Sequence, residues 1–141
     1  MGTRSTIGVK ENGNYKLIYC HWDGYYDNNG MILHKHYQDI DKVKQLIELG
    51  DLSSLNKNVE GGEEEDRCVS YIRDLGGDIK CDCYQEALEK DVNNYLGDYW
   101  DREYLYIYDC ETKTWMTNQH KHTDKLKPLY DTLKKEQLLP R

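Results

Sequence analysis

The chain has 141 residues, with 19 Lys and Arg against 26 Asp and Glu and a formal net charge of −7. That length fits a single domain, 1–141, with a modest core. The acidity argues against direct binding to a nucleic-acid backbone, which needs a basic stripe, and suits docking on a basic partner. No run of 18 apolar residues occurs, so no membrane span is expected. Met1-Gly2-Thr3-Arg4-Ser5 leads into a strand-like pattern with no apolar signal stretch, which predicts a cytoplasmic protein.

Two residue types stand out. There are 13 Tyr and 3 Trp but no Phe, a bias towards rings with a polar tip, as found at half-buried surfaces, interfaces and ligand sites. Five Cys without a secretion signal read as reduced thiols. Cys81-x-Cys83, with Cys20, Cys68, Cys110, His34-x-His36 and His120-x-His122, lacks both the C-x₂-C spacing and a second pair at finger-like distance. No metal site and no cofactor is expected.

In chain order, residues 3–10 have strand composition, and Asn12-Gly13 is a strong hairpin signal. Tyr15 to Asp23 is the return strand. A two-residue turn sets Glu11 opposite Asn14, Lys10 opposite Tyr15, Ile7 opposite Ile18, Ser5 opposite Cys20 and Arg4 opposite His21. One face then carries Ile7, Val9, Ile18, Cys20 and Trp22 and is assigned to the core. The other carries Arg4, Thr6, Tyr19, His21 and Asp23.

Gly24 and Asp27-Asn28-Asn29-Gly30 mark a turn. Residues 31–37 read as a short helix with Leu33 and Tyr37 on one side. Asp39 caps a second helix, Ile40 to Leu49, with Val43, Leu46 and Ile47 as its apolar stripe and Gly50 as its stop. Asp51 to Leu55 is a packed connection. Residues 56–66 form a loop ending in a solvated acidic run, Glu63 to Asp66.

Arg67 to Arg73 alternates as a third strand. Asp82 with Gln85 makes a capping box for a helix over 83–96, with Tyr84, Leu88, Val92 and Tyr95 buried. Glu103 to Cys110 is the clearest strand, with Leu105 and Ile107 on one face and Tyr104, Tyr106 and Tyr108 on the other. Glu111-Thr112-Lys113 turns the chain and Thr114 to Thr117 pairs back. Leu126, Leu129, Tyr130 and Leu133 give a last helix, which Pro128 requires to begin near it.

The sum is an α+β fold: a mainly antiparallel sheet of about five strands with helices packed on one face. The open face would carry both the Tyr104/Tyr106/Tyr108 ladder and the Arg4 set. A face that aromatic predicts a ligand platform or a homo-oligomer interface.

Thr3-Arg4-Ser5, Ile18-Tyr19-Cys20-His21-Trp22-Asp23-Gly24-Tyr25, Gly30 with His36-Tyr37, and Leu49-Gly50-Asp51-Leu52-Ser53-Ser54-Leu55 together resemble a family of small phage and prophage proteins of unassigned function. The chain departs from the usual pattern at Tyr26, where a Pro often follows the Gly-Tyr pair. The resemblance implies an accessory role in the cytoplasm of an infected bacterial host cell, with counter-defence as the expected setting. It supplies no catalytic residues.

These features lead to an expected non-enzymatic protein that binds and sequesters a small nucleotide-type immune signal. The ligand-binding residues would be Arg4, Tyr19, His21, Asp23, Tyr25, Arg73, Tyr104 and Tyr106, with rings for stacking and arginines for phosphates. A homo-oligomer is expected. One alternative is an acidic inhibitor of a host defence nuclease or other nucleic-acid-binding enzyme. Another is a structural or regulatory phage protein whose aromatic face joins its copies. Catalysis ranks lowest, because Cys20 and His21 fall on opposite faces of their strand.

Overall fold

The computed structural model describes residues 3–60, 64–71, 74, 85–88, 104–119, 126–136 and 138. In chain order the elements are β1 (Ser5–Glu11), β2 (Asn14–Cys20), a π-helical turn (Tyr26–Gly30), α1 (Met31–His36), α2 (Ile40–Glu48) and β3 (Leu52–Ser54). A 3₁₀ turn (Glu64–Asp66), β4 (Val69–Ser70), β5 (Gln85–Leu88), β6 (Tyr104–Asp109), β7 (Thr114–Gln119), β8 (Lys127–Pro128) and α3 (Leu129–Lys135) follow.

Asn12 and Gly13 both take positive φ, 54° and 79°, as a tight hairpin turn matched to strand twist requires. They set Glu11 opposite Asn14, Ile7 opposite Ile18 and Ser5 opposite Cys20, the register expected from sequence. Around this hairpin the strands run in the order β4-β3-β2-β1-β6-β7-β8. The strand β5 also pairs with β2, along Asn14 to Leu17, while β3 meets the same edge further on, at Cys20.

The class is α+β, but the sheet is mixed and has eight described strands where about five, mainly antiparallel, were expected. The pairs β1–β6 and β2–β3 are parallel. The chain leaves β2, passes through α1 and α2, and comes back beside β2 in the same direction, which a helical crossover allows and a hairpin does not. The three added strands have two to four residues, too short to show a period. One of them, β5, occupies Gln85–Leu88, inside the helix predicted over 83–96; the rest of that helix lies outside the described residues. Of the third predicted strand, Arg67 to Arg73, only Val69–Ser70 is strand among the described residues.

The three described helices fall where three of the four expected helices were placed. Asp39 caps α2, its Oδ1 accepting the Asp41 N–H at 2.9 Å. Val43, Leu46 and Ile47 are buried, and Gly50 ends the helix with φ 76°. Pro128 sits just ahead of α3, where its fixed φ suits a helix start.

The three described helices cover one face of the sheet. There Ile7, Val9, Ile18 and Cys20 pack with Leu33, Tyr37, Leu46 and Leu133. Tyr106 and Tyr108 belong to this same core, at 0% and 1% exposure. This corrects the expected open tyrosine face, and with it the expected platform or interface built on that ladder. The parallel register places Tyr106 beside Ile7 and Tyr108 beside Val9, so the ladder points under the helices. The opposite face buries Tyr15, Leu17, Leu105 and Ile107 in a second cluster, with Leu126 against it.

The polar tips explain why rings so deep are Tyr and Trp. The Tyr106 hydroxyl donates to the Gly24 carbonyl at 2.6 Å and that of Tyr108 to the Gln38 carbonyl at 3.3 Å. Tyr37 donates to the Asn56 carbonyl at 2.6 Å, and Trp115 Nε1 to the Tyr37 carbonyl at 2.8 Å. Each ring fills the core while its tip satisfies a connecting segment's backbone, which Phe could not do.

Candidate functional site at the end of strand β2

Regular pairing of β2 ends at Cys20, but two more backbone bonds continue it. His21 N–H donates to the Leu52 carbonyl at 3.0 Å and Trp22 N–H to the Ser53 carbonyl at 3.1 Å. Asp23 then takes φ 56°, the left-handed region that Asp and Asn tolerate better than most residues. Gly24 lies flat against the start of β1, its N–H donating to the Thr3 carbonyl at 2.7 Å. A Cβ there would come within 2.8 Å of Ser5 Cβ and 2.9 Å of the Thr3 oxygen, so only glycine allows this approach.

The reversal is held from below. The Asp23 carbonyl accepts from Asn29 N–H at 3.3 Å and from Asn28 Nδ2 at 3.1 Å. Asn29 is fully buried, and its amide donates to Ser5 Oγ at 3.2 Å and to Cys20 Sγ at 3.5 Å. Tyr106 fixes the Gly24 carbonyl from the core side. The segment enters a π-helical turn at Tyr26, a backbone form that often marks functional sites.

On this frame stand five side chains. The Tyr19 hydroxyl and His21 Nδ1 share a hydrogen bond of 2.6 Å. The His21 ring meets the Trp22 ring edge to face, at 4.6 Å between centroids and 87° between planes. Tyr25 donates to Asp23 Oδ1 at 3.1 Å, and that bond pushes the Tyr25 phenol's pKa up. Trp22 is 43% exposed, a large apolar side chain left open to solvent.

The exposure of Trp22 corrects its assignment to the core. Alternation placed it there, but alternation holds only within a strand, and the strand stops two residues earlier. The glycine at 24 is the signal that could have warned of this. Of the expected ligand residues, Tyr19 contacts His21 and Tyr25 contacts Asp23, two pairs carried by the same strand end and reversal. The backbone of Arg4 lies beside them, against Gly24.

Tyr104 and Tyr106 are not part of this group. Tyr106 is buried, and Tyr104 stacks on it, with centroids 6.3 Å apart, beside Tyr26 on the helix-covered side. Tyr106 therefore acts on the site only as a support. Arg73 lies outside the described residues. Sequence reasoning missed Trp22 as a site residue and Asn28 and Asn29 as its support.

Chemically the cluster offers an exposed indole, a carboxylate fixed by its backbone, and a hydrogen-bonded Tyr–His pair. The adjacent thiol does not join it. Cys20 is buried, and burial pushes its pKa up to about 12, so it stays protonated at neutral pH. Among the described residues, no three His, Cys, Asp or Glu side chains gather as a metal site would require. Cys81, Cys83, His120 and His122 lie outside those residues. No described helix is long and apolar enough to cross a membrane. Comparison with models of protein families, with curated proteins and with solved structures gives no match for this chain.

Proposed function

We propose that this protein binds a small nucleotide-type ligand at the end of β2, without turning it over, and acts by holding it. The observation that carries the reading is the exposed Trp22, set on a braced reversal beside Asp23, Tyr25 and the Tyr19–His21 pair. A soluble protein rarely leaves an indole this open on a rigid, glycine-locked turn unless it meets something there. An indole face stacks on a planar base, and the surrounding polar groups supply orientation. The resemblance to small phage proteins supplies the setting: sequestration of an immune signal inside an infected cell.

The acidic-inhibitor alternative rests on net charge. Its acidic run has Asp66 already paired with Lys57 at 3.5 Å. The alternative that joined copies through the tyrosine ladder loses its surface, since Tyr106 and Tyr108 lie within a single chain's core.

Isothermal titration against a panel of cyclic nucleotides, mononucleotides and ADP-ribose derivatives tests the proposal. Binding of at least one, with the ligand recovered unchanged by mass spectrometry, is expected. Silence across the panel would sink the nucleotide reading, and a chemically altered ligand would sink the non-enzymatic one.

A further inference from the structure

We infer that Asn12 is a site of covalent modification, where the side-chain amide is lost as ammonia and water reopens the main chain as an isoaspartyl linkage. The chain has two Asn-Gly pairs, Asn12-Gly13 and Asn29-Gly30. Glycine after asparagine offers the side-chain amide a main-chain nitrogen with no Cβ in the way. The fold treats the two pairs in opposite ways.

Asn12-Gly13 is the tip of the β1–β2 hairpin, and both residues are exposed. Among the described residues, neither the Asn12 side chain nor the Gly13 N–H has a hydrogen-bond partner. Nothing lies within 4 Å of where a Cβ on Gly13 would stand. The peptide between the two residues can therefore turn towards the side chain, as ring closure requires, without breaking a bond or displacing a neighbour. Asn29-Gly30 is locked. Asn29 is fully buried, and its amide donates to Ser5 Oγ at 3.2 Å and to Cys20 Sγ at 3.5 Å. Its Oδ1 accepts from Asn28 Nδ2 at 2.9 Å. The Gly30 N–H donates to the Tyr25 carbonyl at 3.5 Å, and a Cβ on Gly30 would already touch Leu133, Tyr106 and Tyr26. The same two residues thus stand free at one place and are held at every reacting atom at the other.

The chemistry needs only water. The Gly13 nitrogen gives up its proton and bonds to Asn12 Cγ, the Cγ–Nδ2 bond breaks, and Nδ2 takes a proton and departs as ammonia. The cyclic imide left behind then adds water. Opening at Cγ restores the main chain and leaves Asp. Opening at the main-chain carbonyl leaves Gly13 joined through Cγ, with the former carbonyl as a carboxylate. One water is consumed, one ammonia is released, and nothing is oxidised or reduced. Both products add a negative charge beside Glu11. The isoaspartyl product also adds a main-chain carbon to a two-residue turn that sets Glu11 opposite Asn14 and Lys10 opposite Tyr15, so the turn no longer fits its strands.

Incubating the full chain at mildly alkaline pH, in buffer and in urea, tests this, with peptide mapping by mass spectrometry that separates isoaspartate from aspartate. In the folded chain isoaspartate is expected at position 12, forming faster as pH rises because the Gly13 nitrogen must lose its proton. Position 29 should react at least about tenfold more slowly, since it waits for the fold to open. In urea the two positions should react at comparable rates. Freshly made Asn12→Asp carries the added charge on an ordinary main chain, in a residue that tolerates the left-handed backbone at 12. Aged wild-type protein should therefore unfold at a lower urea midpoint than this variant. Equal rates at 12 and 29 in the folded chain, or an Asn12 that stays intact in buffer while it reacts in urea, overturns the assignment of the site. Aged protein that contains only aspartate at 12 and unfolds with Asn12→Asp overturns the isoaspartyl linkage.

Discussion

Replacing Tyr106 with Phe removes one oxygen atom and no ring. That oxygen donates to the Gly24 carbonyl at 2.6 Å across 82 residues of sequence, and the bond is buried. A neutral hydrogen bond contributes about 1 kcal/mol net, and a buried carbonyl deprived of its donor costs about 1–3 kcal/mol. We expect Tyr106→Phe to destabilise the fold by about 2 kcal/mol. Tyr108→Phe is the internal control. Its bond to the Gln38 carbonyl is longer, 3.3 Å, and Gln38 is exposed, so water replaces the lost donor. Its cost should stay near 0.5 kcal/mol, the lower end for such a bond. In urea unfolding, with a slope of about 2 kcal/mol per molar, the midpoints should fall by about 1 M and about 0.3 M. Equal losses in the two variants would refute the idea that the tyrosine tips, and not only the rings, hold the loops to the sheet.

Trp22→Ala should leave stability within about 1 kcal/mol of wild type, since the side chain is exposed, while eliminating ligand binding in calorimetry. Asp39→Ala removes the bond to the Asp41 N–H and should cost about 1 kcal/mol in the same urea assay. Cys20 has a folded pKa of about 12 against an ordinary 9.0, so its contribution is complete below pH 9 and is lost as pH rises towards 12. Wild-type stability should therefore fall more steeply than that of Cys20→Ala between pH 9 and 11, by up to about 1 kcal/mol per pH unit. Lys44→Gln breaks an exposed ion pair to Glu11, 2.7 Å long, and its urea midpoint should not move measurably.

Local features of the fold were legible because local chemistry decides them. Asn12-Gly13 dictated the hairpin register, and Asp39 with Gly50 bracketed α2. What alternation could not reveal is which face of β6 goes where. Leu105 and Ile107 lie on one side and the tyrosines on the other, and the sheet buries both, so neither side reads as solvent. Trp22 was misplaced by carrying a two-residue period past the end of its strand, to a residue that stands just before the positive φ of Asp23. The parallel partnership of β1 and β6 is set by packing between distant segments and leaves no mark on either strand alone. Part of the candidate site was legible nonetheless. Tyr19, His21, Asp23 and Tyr25 were named because polar and aromatic residues crowd a strand end before a glycine, and that crowding survived the change in Trp22.

The pairing of β1 with β6 also governs when the protein can exist. Ser5 and its partner Tyr104 are separated by roughly a hundred residues, a span that makes the contact slow to close. At about 5–20 residues per second, a ribosome takes about 5–20 s to deliver β6 after β1. Throughout that interval the first hairpin has one edge with its hydrogen-bonding groups bare and a face of Ile7, Val9 and Ile18 without most of its cover. Newly made chains are thus most prone to pair with one another before they are complete, and anything that speeds completion, or slows collisions between nascent hairpins, raises the yield of folded protein.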